Sequence, residues 1–288
     1  TFKLVTTAAG LTEGVIDKNT TVNCTGRFGV GLVDPSDELN CVALSGHGPL
    51  SIVNAIKESC NVFFCTVAYK LGLDENNHFS QNLALSQIQK YANMFQLGEK
   101  TGIEITESKS QVTTTLPIPS AIGQATHSYT TVSLARYAST LENEGTNYKL
   151  SLLDKITDAS DKTVRNIEPE VTGNVELANG TWDIIHEGMN KVAKKIPELN
   201  QLPVEVYGKT GTAEESDTRP NHGLFIGFAH GEGKEDIAMA IRIPYGYSST
   251  NAAMVAKDIL SYYYNVEDKD DVLTGVADSE GASNVRTD

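Results

Sequence analysis

The sequence predicts an α+β fold, on three observations. Helical periodicity dominates the first two thirds of the chain, most strongly over 51–72 and 80–97. Three short apolar runs then follow one another, 203–212, 224–229 and 237–243, separated by turn signals at Pro220 and at Gly231 to Gly233. Such runs read as neighbouring antiparallel strands. The chain has 288 residues, 40% of them hydrophobic, which suffices for a real core in one large domain or two small ones.

Taken in order, residues 1–11 read as a helix ended near Gly10, with Phe2, Val5 and Ala9 at helical spacing. Residues 14–50 hold many glycines and prolines and read as a twisted hairpin with loops, carrying strands near 20–24 and 39–44. From Ser51 to Gly72 the apolar positions Ile52, Val53, Ile56, Phe63, Phe64, Val67 and Leu71 form one amphipathic pattern, with a break expected near Ser59. Leu83, Leu85, Ile88, Tyr91 and Phe95 predict a further helix over 80–97, closed by Gly98. Helices are also expected over 128–144, 182–192 and 252–264, with a strand near 152–156. Residues 266–288 are acidic and almost free of large apolar side chains, which predicts a disordered tail after a domain spanning 1–265. No internal repeat is visible.

Lys and Arg number 23 against 37 Asp and Glu, a formal net charge of −14. That balance argues against nucleic acid and anionic membrane surfaces as partners. No run approaches the roughly 18 apolar residues of a membrane span, and no charged-then-apolar leader opens the chain. Thr1 starts a helical pattern without a cap, so it reads as a cut inside a longer polypeptide.

Chemistry concentrates in three places. Pro203 to Tyr207 alternates as a half-buried strand does, so Lys209-Thr210-Gly211-Thr212 should lie at or just past a strand end. Gly211 lets another backbone or a ligand approach, while Lys209, Thr210 and Thr212 supply a charge and donors for a carboxylate. Ser59-Cys60-Asn61 falls at the expected helix break, where a hydroxyl and an amide can face a cleft; a helix cap is the plainer reading. Thr1-Phe2-Lys3 would complete Ser-Thr-Phe-Lys if serine preceded Thr1, and positions three apart share a helix face.

In this order the three stretches resemble the motifs Ser-x-x-Lys, Ser-x-Asn and Lys-Thr-Gly of the penicillin-binding protein transpeptidase domain, class B-like, within the penicillin-recognising serine acyl enzymes. Gly46-His47-Gly48, Pro119 to Gln124 and Thr212-Ala213-Glu214 match flanking positions, and the resemblance covers about 1–265. It implies a central antiparallel sheet of about five strands flanked by helices, the β-lactamase/transpeptidase-like arrangement. It implies a D,D-transpeptidase that cross-links peptidoglycan stem peptides through an acylated serine, expected immediately before Thr1, and is acylated there by β-lactam antibiotics. Lys3 would be the general base, its pKa depressed by burial and the Lys209 cation. Ser59 would relay a proton to the leaving nitrogen, and Asn61 would hold the substrate amide. Lys209, Thr210 and Thr212 would bind the terminal carboxylate, with the Thr212 backbone N–H as half of an oxyanion hole. No cofactor is required. Membrane proteins of cell-wall synthesis are implied partners, at the extracytoplasmic face of the bacterial membrane, with an N-terminal anchor preceding this chain.

Cysteine usage adds a metal reading. Cys24 and Cys41 bracket the expected hairpin, His47 follows, and Asp34 or Asp37 would complete a tetrahedral zinc site. A Cys24–Cys41 disulfide or two free thiols are the alternatives; Cys60 and Cys65 read as buried core. Rival functions are a β-lactamase or β-lactam sensor of the same fold, an N-terminal-threonine hydrolase using Thr1, and a non-catalytic module that binds cell-wall peptides.

Overall fold

The computed structural model of the chain describes residues 1–30, 38–213 and 218–273. After α1 (Lys3–Thr12) come four short strands, β1 (Thr21–Cys24), β2 (Arg27–Phe28), β3 (Leu39–Asn40) and β4 (Gly48–Ser51), paired antiparallel as β1 with β4 and β2 with β3. A helical region follows: α2 (Ile52–Glu58), α3 (Asn61–Leu71), α4 (Gln81–Met94), α5 (Pro117–Ala121) and α6 (Thr131–Glu142). Next are β5 (Thr146–Lys149), β6 (Lys155–Thr157), β7 (Thr163–Asn166) and β8 (Glu170–Asn174), again in two-stranded ladders, β5 with β8 and β6 with β7. The last third holds α7 (Thr181–Lys195), α8 (Pro197–Asn200), β9 (Glu205–Ala213), β10 (His222–His230), β11 (Ile237–Ile243), α9 (Ser249–Tyr263) and α10 (Lys269–Val272).

The α+β class stands, and the three strands expected after residue 203 are antiparallel neighbours in the order β11-β10-β9. The central sheet counts three strands among the described residues, not about five. The other strand-like segments pair two by two away from it, and a bulge between Asn147 and Tyr148 disrupts the β5–β8 ladder. Because side chains alternate along β9, Val206, Gly208 and Thr210 share one face, and Tyr207, Lys209 and Gly211 the other. On the first side Val206 and Phe225 join α9 residues Ala252, Ala256 and Leu260 in one apolar cluster. On the second, Ile226 and Phe228 belong to the main core with Leu4, Phe63, Phe64, Ile185 and Met189. The motif strand β9 is therefore sandwiched between two layers of helix and, among the described residues, lies at the edge of its sheet.

Two glycines set how closely helices approach. Gly10, expected to end the first helix, lies inside α1: a Cβ there would stand 2.6 Å from Val67 Cγ1, so its bareness is used for packing on α3. Gly188 in α7 plays the same part against α2, where a Cβ would stand 2.8 Å from Ile56 Cβ. The break at Ser59 is real. Ser59 caps α2 in the left-handed region, φ 54°, and Cys60 starts α3 with its sulfur accepting the Phe63 N–H. Part of the expected tail, Lys269–Val272, forms a helical turn, and 274–288 lie outside the described residues. Among the described residues no helix is long and apolar enough to cross a membrane.

Candidate active site

The left-handed turn at Ser59 reverses the chain between α2 and α3 and presents the serine to two lysines. Lys3 Nζ, from the first turn of α1, donates to Ser59 Oγ at 3.0 Å and to Ser59 O at 3.0 Å. Lys209 Nζ, from β9, donates to the same Oγ at 3.1 Å and to Thr210 O at 3.0 Å. Lys209 is fully buried and Lys3 is 7% exposed. Two lysine side chains thus share one hydroxyl away from solvent. Asn61 opens α3, and its Nδ2 donates to Asn40 O at 2.8 Å, tying the motif to β3. All the motif residues named from the sequence, Lys3, Ser59, Asn61, Lys209, Thr210, Gly211 and Thr212, meet around this point.

All of these but the fully buried Lys209 line one open cleft of about 870 Å³, whose walls also include Thr1, Gln124, Lys195, Asn221 and Tyr247. Thr210, Gly211 and Thr212 of β9, an edge strand among the described residues, line one side. Gly211 is bare for a visible reason: a Cβ there would stand 3.0 Å from the Thr1 nitrogen. The start of the chain is held against the Lys-Thr-Gly strand, two residues before Lys3. Thr212 Oγ1 is buried beside the cleft without a hydrogen-bond partner among the described residues. A buried orphan hydroxyl in a cleft wall calls for a ligand group.

The wall opposite β9 is braced. Lys195, at the end of α7, pairs with Glu58 at 2.7 Å, and Lys57 pairs with the same carboxylate at 3.0 Å. Burial raises the Glu58 pKa, but these two cations outweigh it and hold the carboxyl below its ordinary value. Phe2 packs its ring 4.1 Å from that of His127, whose Nδ1 accepts from Thr113 N–H and Tyr129 Oη–H while Nε2 faces Ser120 O at 3.1 Å. Burial pushes the His127 pKa down to about 4, against the pull of the Ser120 carbonyl. Neutral His127 therefore pins the loop that carries Ser120 and Gln124 beside α1. Nothing in the sequence around His127 marks the bond to Ser120, which only the folded loop creates.

A second cluster adjoins the first. Donor atoms of Cys24, Cys41, His47 and Cys60 all lie within 4.8 Å of one another, and all four cysteines carry free thiols, so the Cys24–Cys41 disulfide does not form here. The expected fourth ligands, Asp34 and Asp37, lie outside the described residues. The fourth donor is Cys60, assigned to the core by its apolar neighbours in sequence. It is both, because α3 turns Cys60 inward against Cys41. Cys41 Sγ and Cys60 Sγ share a hydrogen bond at 3.8 Å; that contact first, then N–H groups of Val62, Ala43 and Asn61, bring the Cys41 pKa down to about 4 against the upward push of burial, while Cys60 is pushed far up. Cys65 stays apart, its pKa raised to about 12 by complete burial.

The family model of the penicillin binding protein transpeptidase domain matches residues 1–261. The chain belongs to this family. It is 26% identical over 300 residues to Penicillin-binding protein 2A of Bacillus subtilis, covering 93% of this chain and 41% of that protein. It is likewise 26% identical over 294 residues to Peptidoglycan D,D-transpeptidase MrdA of Acinetobacter baumannii, covering 91% and 41%. The chain thus spans less than half the length of these curated relatives. Among solved structures, penicillin-binding protein A from M. tuberculosis, as a ceftriaxone acyl-enzyme complex, superposes with a TM-score of 0.74 at 18% identity over 91% of this chain and 59% of that one. A chain of a peptidoglycan synthase complex gives a TM-score of 0.78 at 23% identity, over 93% and 46%. Both share the fold.

Proposed function

We propose that this chain is the catalytic domain of a serine-type D,D-transpeptidase that cross-links peptidoglycan stem peptides and is acylated by β-lactams. The observation that carries the reading is Ser59 Oγ held at 3.0 and 3.1 Å by Lys3 and Lys209 beside the edge of β9. An extended peptide can pair along the edge that β9 presents among the described residues. Its terminal carboxylate would meet Thr210 and Thr212, the latter with an unused hydroxyl. Asn61, anchored on Asn40, would hold the substrate amide.

A serine bonded to the Thr1 nitrogen would sit against Gly211, one helical turn from Lys3. In its neutral form Lys3 would take the serine proton as Oγ attacks the penultimate D-Ala carbonyl. The C–N bond then breaks, and Ser59 passes a proton to the departing D-alanine nitrogen. An acceptor amine reverses these steps on the ester: nitrogen bonds to the carbonyl carbon, the C–Oγ bond breaks, and the serine recovers its proton. The N–H of Thr212 and that of the serine would receive the oxyanion. The substrate lies outside the cytoplasmic membrane, so the domain is assigned to the extracytoplasmic face, anchored by a segment before Thr1, with membrane proteins of wall synthesis as partners.

Mass spectrometry of the polypeptide that extends before Thr1, treated with labelled penicillin, tests this. One long-lived adduct on a serine bonded to Thr1 is expected. Rapid loss of that adduct would mark a β-lactamase, and absence of any adduct would leave a peptide-binding module.

The Cys24, Cys41, His47 and Cys60 cluster fits zinc. Bond lengths of about 2.3 Å to sulfur and 2.0 Å to nitrogen give tetrahedral edges of about 3.8 Å between sulfurs and 3.5 Å between sulfur and nitrogen. Cys41 Sγ stands 3.8 Å from Cys60 Sγ and 3.5 Å from His47 Nδ1. Bound there, zinc would act structurally, joining β1, the 41–47 loop and the start of α3.

A further inference from the structure

The loop between β3 and β4, residues 41–47, is pinned along its length. Cys41 N–H donates to Gly26 O at 2.8 Å, and Gly46 N–H donates to Ala43 O at 2.9 Å. Cys41 Sγ and His47 Nδ1, at the two ends of the loop, stand 3.5 Å apart. Gly26 and Gly46 are both left-handed, with φ 92° and 84°, and both are pressed against backbone: a Cβ on Gly26 would collide with Leu44 O, and one on Gly46 with Cys24 O. Two bare glycines thus let the loop lie directly on the turn that follows β1. Its start is tied to the motif, since Asn61 Nδ2 donates to Asn40 O at 2.8 Å.

Two apolar side chains on this loop are left to solvent. Val42 is 37% exposed and Leu44 68%, and both line the cleft. Among the described Val, Leu and Ile side chains that line the cleft these two alone are exposed; Val192 is 4% exposed, and Ile122 and Ile196 are half-buried. Scattered apolar exposures are ordinary on a protein surface, but two on one pinned loop in a cleft wall make a contact surface for an apolar group. Val42 lies two residues after Asn40, whose carbonyl binds Asn61, and two residues of chain span at most about 7 Å. A group joined to an amide at Asn61 therefore has both side chains within reach.

We infer, resting on the assignment of the substrate amide to Asn61, that Val42 and Leu44 form an apolar subsite for the aliphatic or aryl group attached to that amide. In a stem peptide this group is the side-chain methylenes of the residue before the D-Ala pair; in a penicillin it is the acylamino substituent. Packing it on an exposed leucine and valine removes apolar surface of both partners from water. The subsite acts on selectivity: it favours acyl donors that carry an apolar group at this place over donors that carry none. Because the loop is already pinned, little ordering opposes the contact.

The test is an NMR titration of the whole 288-residue chain with N-phenylacetyl-D-alanyl-D-alanine and, separately, with N-acetyl-D-alanyl-D-alanine. The phenylacetyl ligand is expected to bind about tenfold tighter, with shifts of the Val42 and Leu44 methyls and intermolecular NOEs from its ring to them. In the double variant Val42→Ser/Leu44→Ser, at exposed positions, the two ligands should bind within about twofold of each other. Ring contacts to other methyls instead, equal affinities in the unmodified chain, or a preference that survives the double substitution would each overturn the subsite. If in those cases the acetyl ligand still shifts the amides of Thr210 to Thr212, the transpeptidase reading stands without it. If neither ligand perturbs β9, that reading fails and the subsite with it. The NOE map needs no variant, so it decides even if the substitutions unfold the protein.

Discussion

Ser59 is the residue on which the candidate site turns, because it carries both a backbone reversal and a shared hydroxyl. A non-glycine residue at φ 54° costs about 1–2 kcal/mol, so the strain is retained for what the turn presents. Ser59→Gly adopts that φ freely and removes the hydroxymethyl side chain. In the polypeptide that includes the residue before Thr1, this variant should fold as the parent does. Its acylation by penicillin should fall about 10²–10⁴-fold, the span of a lost proton relay. Stopped-flow acylation kinetics measure it, and an unchanged rate would remove Ser59 from the chemistry. Ser59→Ala should lose as much activity while keeping the backbone strain of the parent, so it isolates loss of the hydroxyl.

At the scale of elements, the site depends on how closely α7 approaches α2. Gly188 faces Ile56 in a helix whose far end carries Lys195 to Glu58, the residue before Ser59. Gly188→Ala improves helix propensity by about 1 kcal/mol, yet drives a methyl to 2.8 Å from a backbone-attached carbon. Overpacking should win. A net destabilisation of about 1–3 kcal/mol is expected in urea unfolding, with slower acylation as the α2 end shifts. A neutral or stabilised variant would show that Ile56 gives way. The helices on either side of this contact were legible as amphipathic patterns, including the break at Ser59. Gly10 was misread as a stop because a glycine chosen for packing and one chosen for capping look the same in sequence.

For the whole molecule, one coupling runs between the cysteine cluster and the Ser59-Cys60-Asn61 turn. Cys60 is the middle residue of Ser59-Cys60-Asn61, so whatever holds its sulfur also holds the turn before it and the helix after it. The purified protein is expected to contain about one zinc per chain by elemental analysis. Removing it with a chelator should lower the melting temperature by roughly 5–10 °C and slow acylation, both restored by zinc. A metal-free protein with a Cys24–Cys41 or Cys41–Cys60 disulfide would refute the assignment. His127 and Arg136 brace the remaining side; Arg136 is 3% exposed and donates to the carbonyls of Gln96, Glu99 and Lys100.

By itself the sequence determined the class of fold, the order and kind of most elements, and the three motifs. Each of these rests on short-range pattern: apolar spacing, turn residues, and a handful of adjacent polar side chains. Tertiary structure decided what meets what. That Lys3 and Lys209 share one hydroxyl, and that Cys60 joins Cys24, Cys41 and His47, are contacts between residues remote in the chain. Local preference has no term for such distances, and only burial of the two apolar clusters against β9 and β10 draws these residues together.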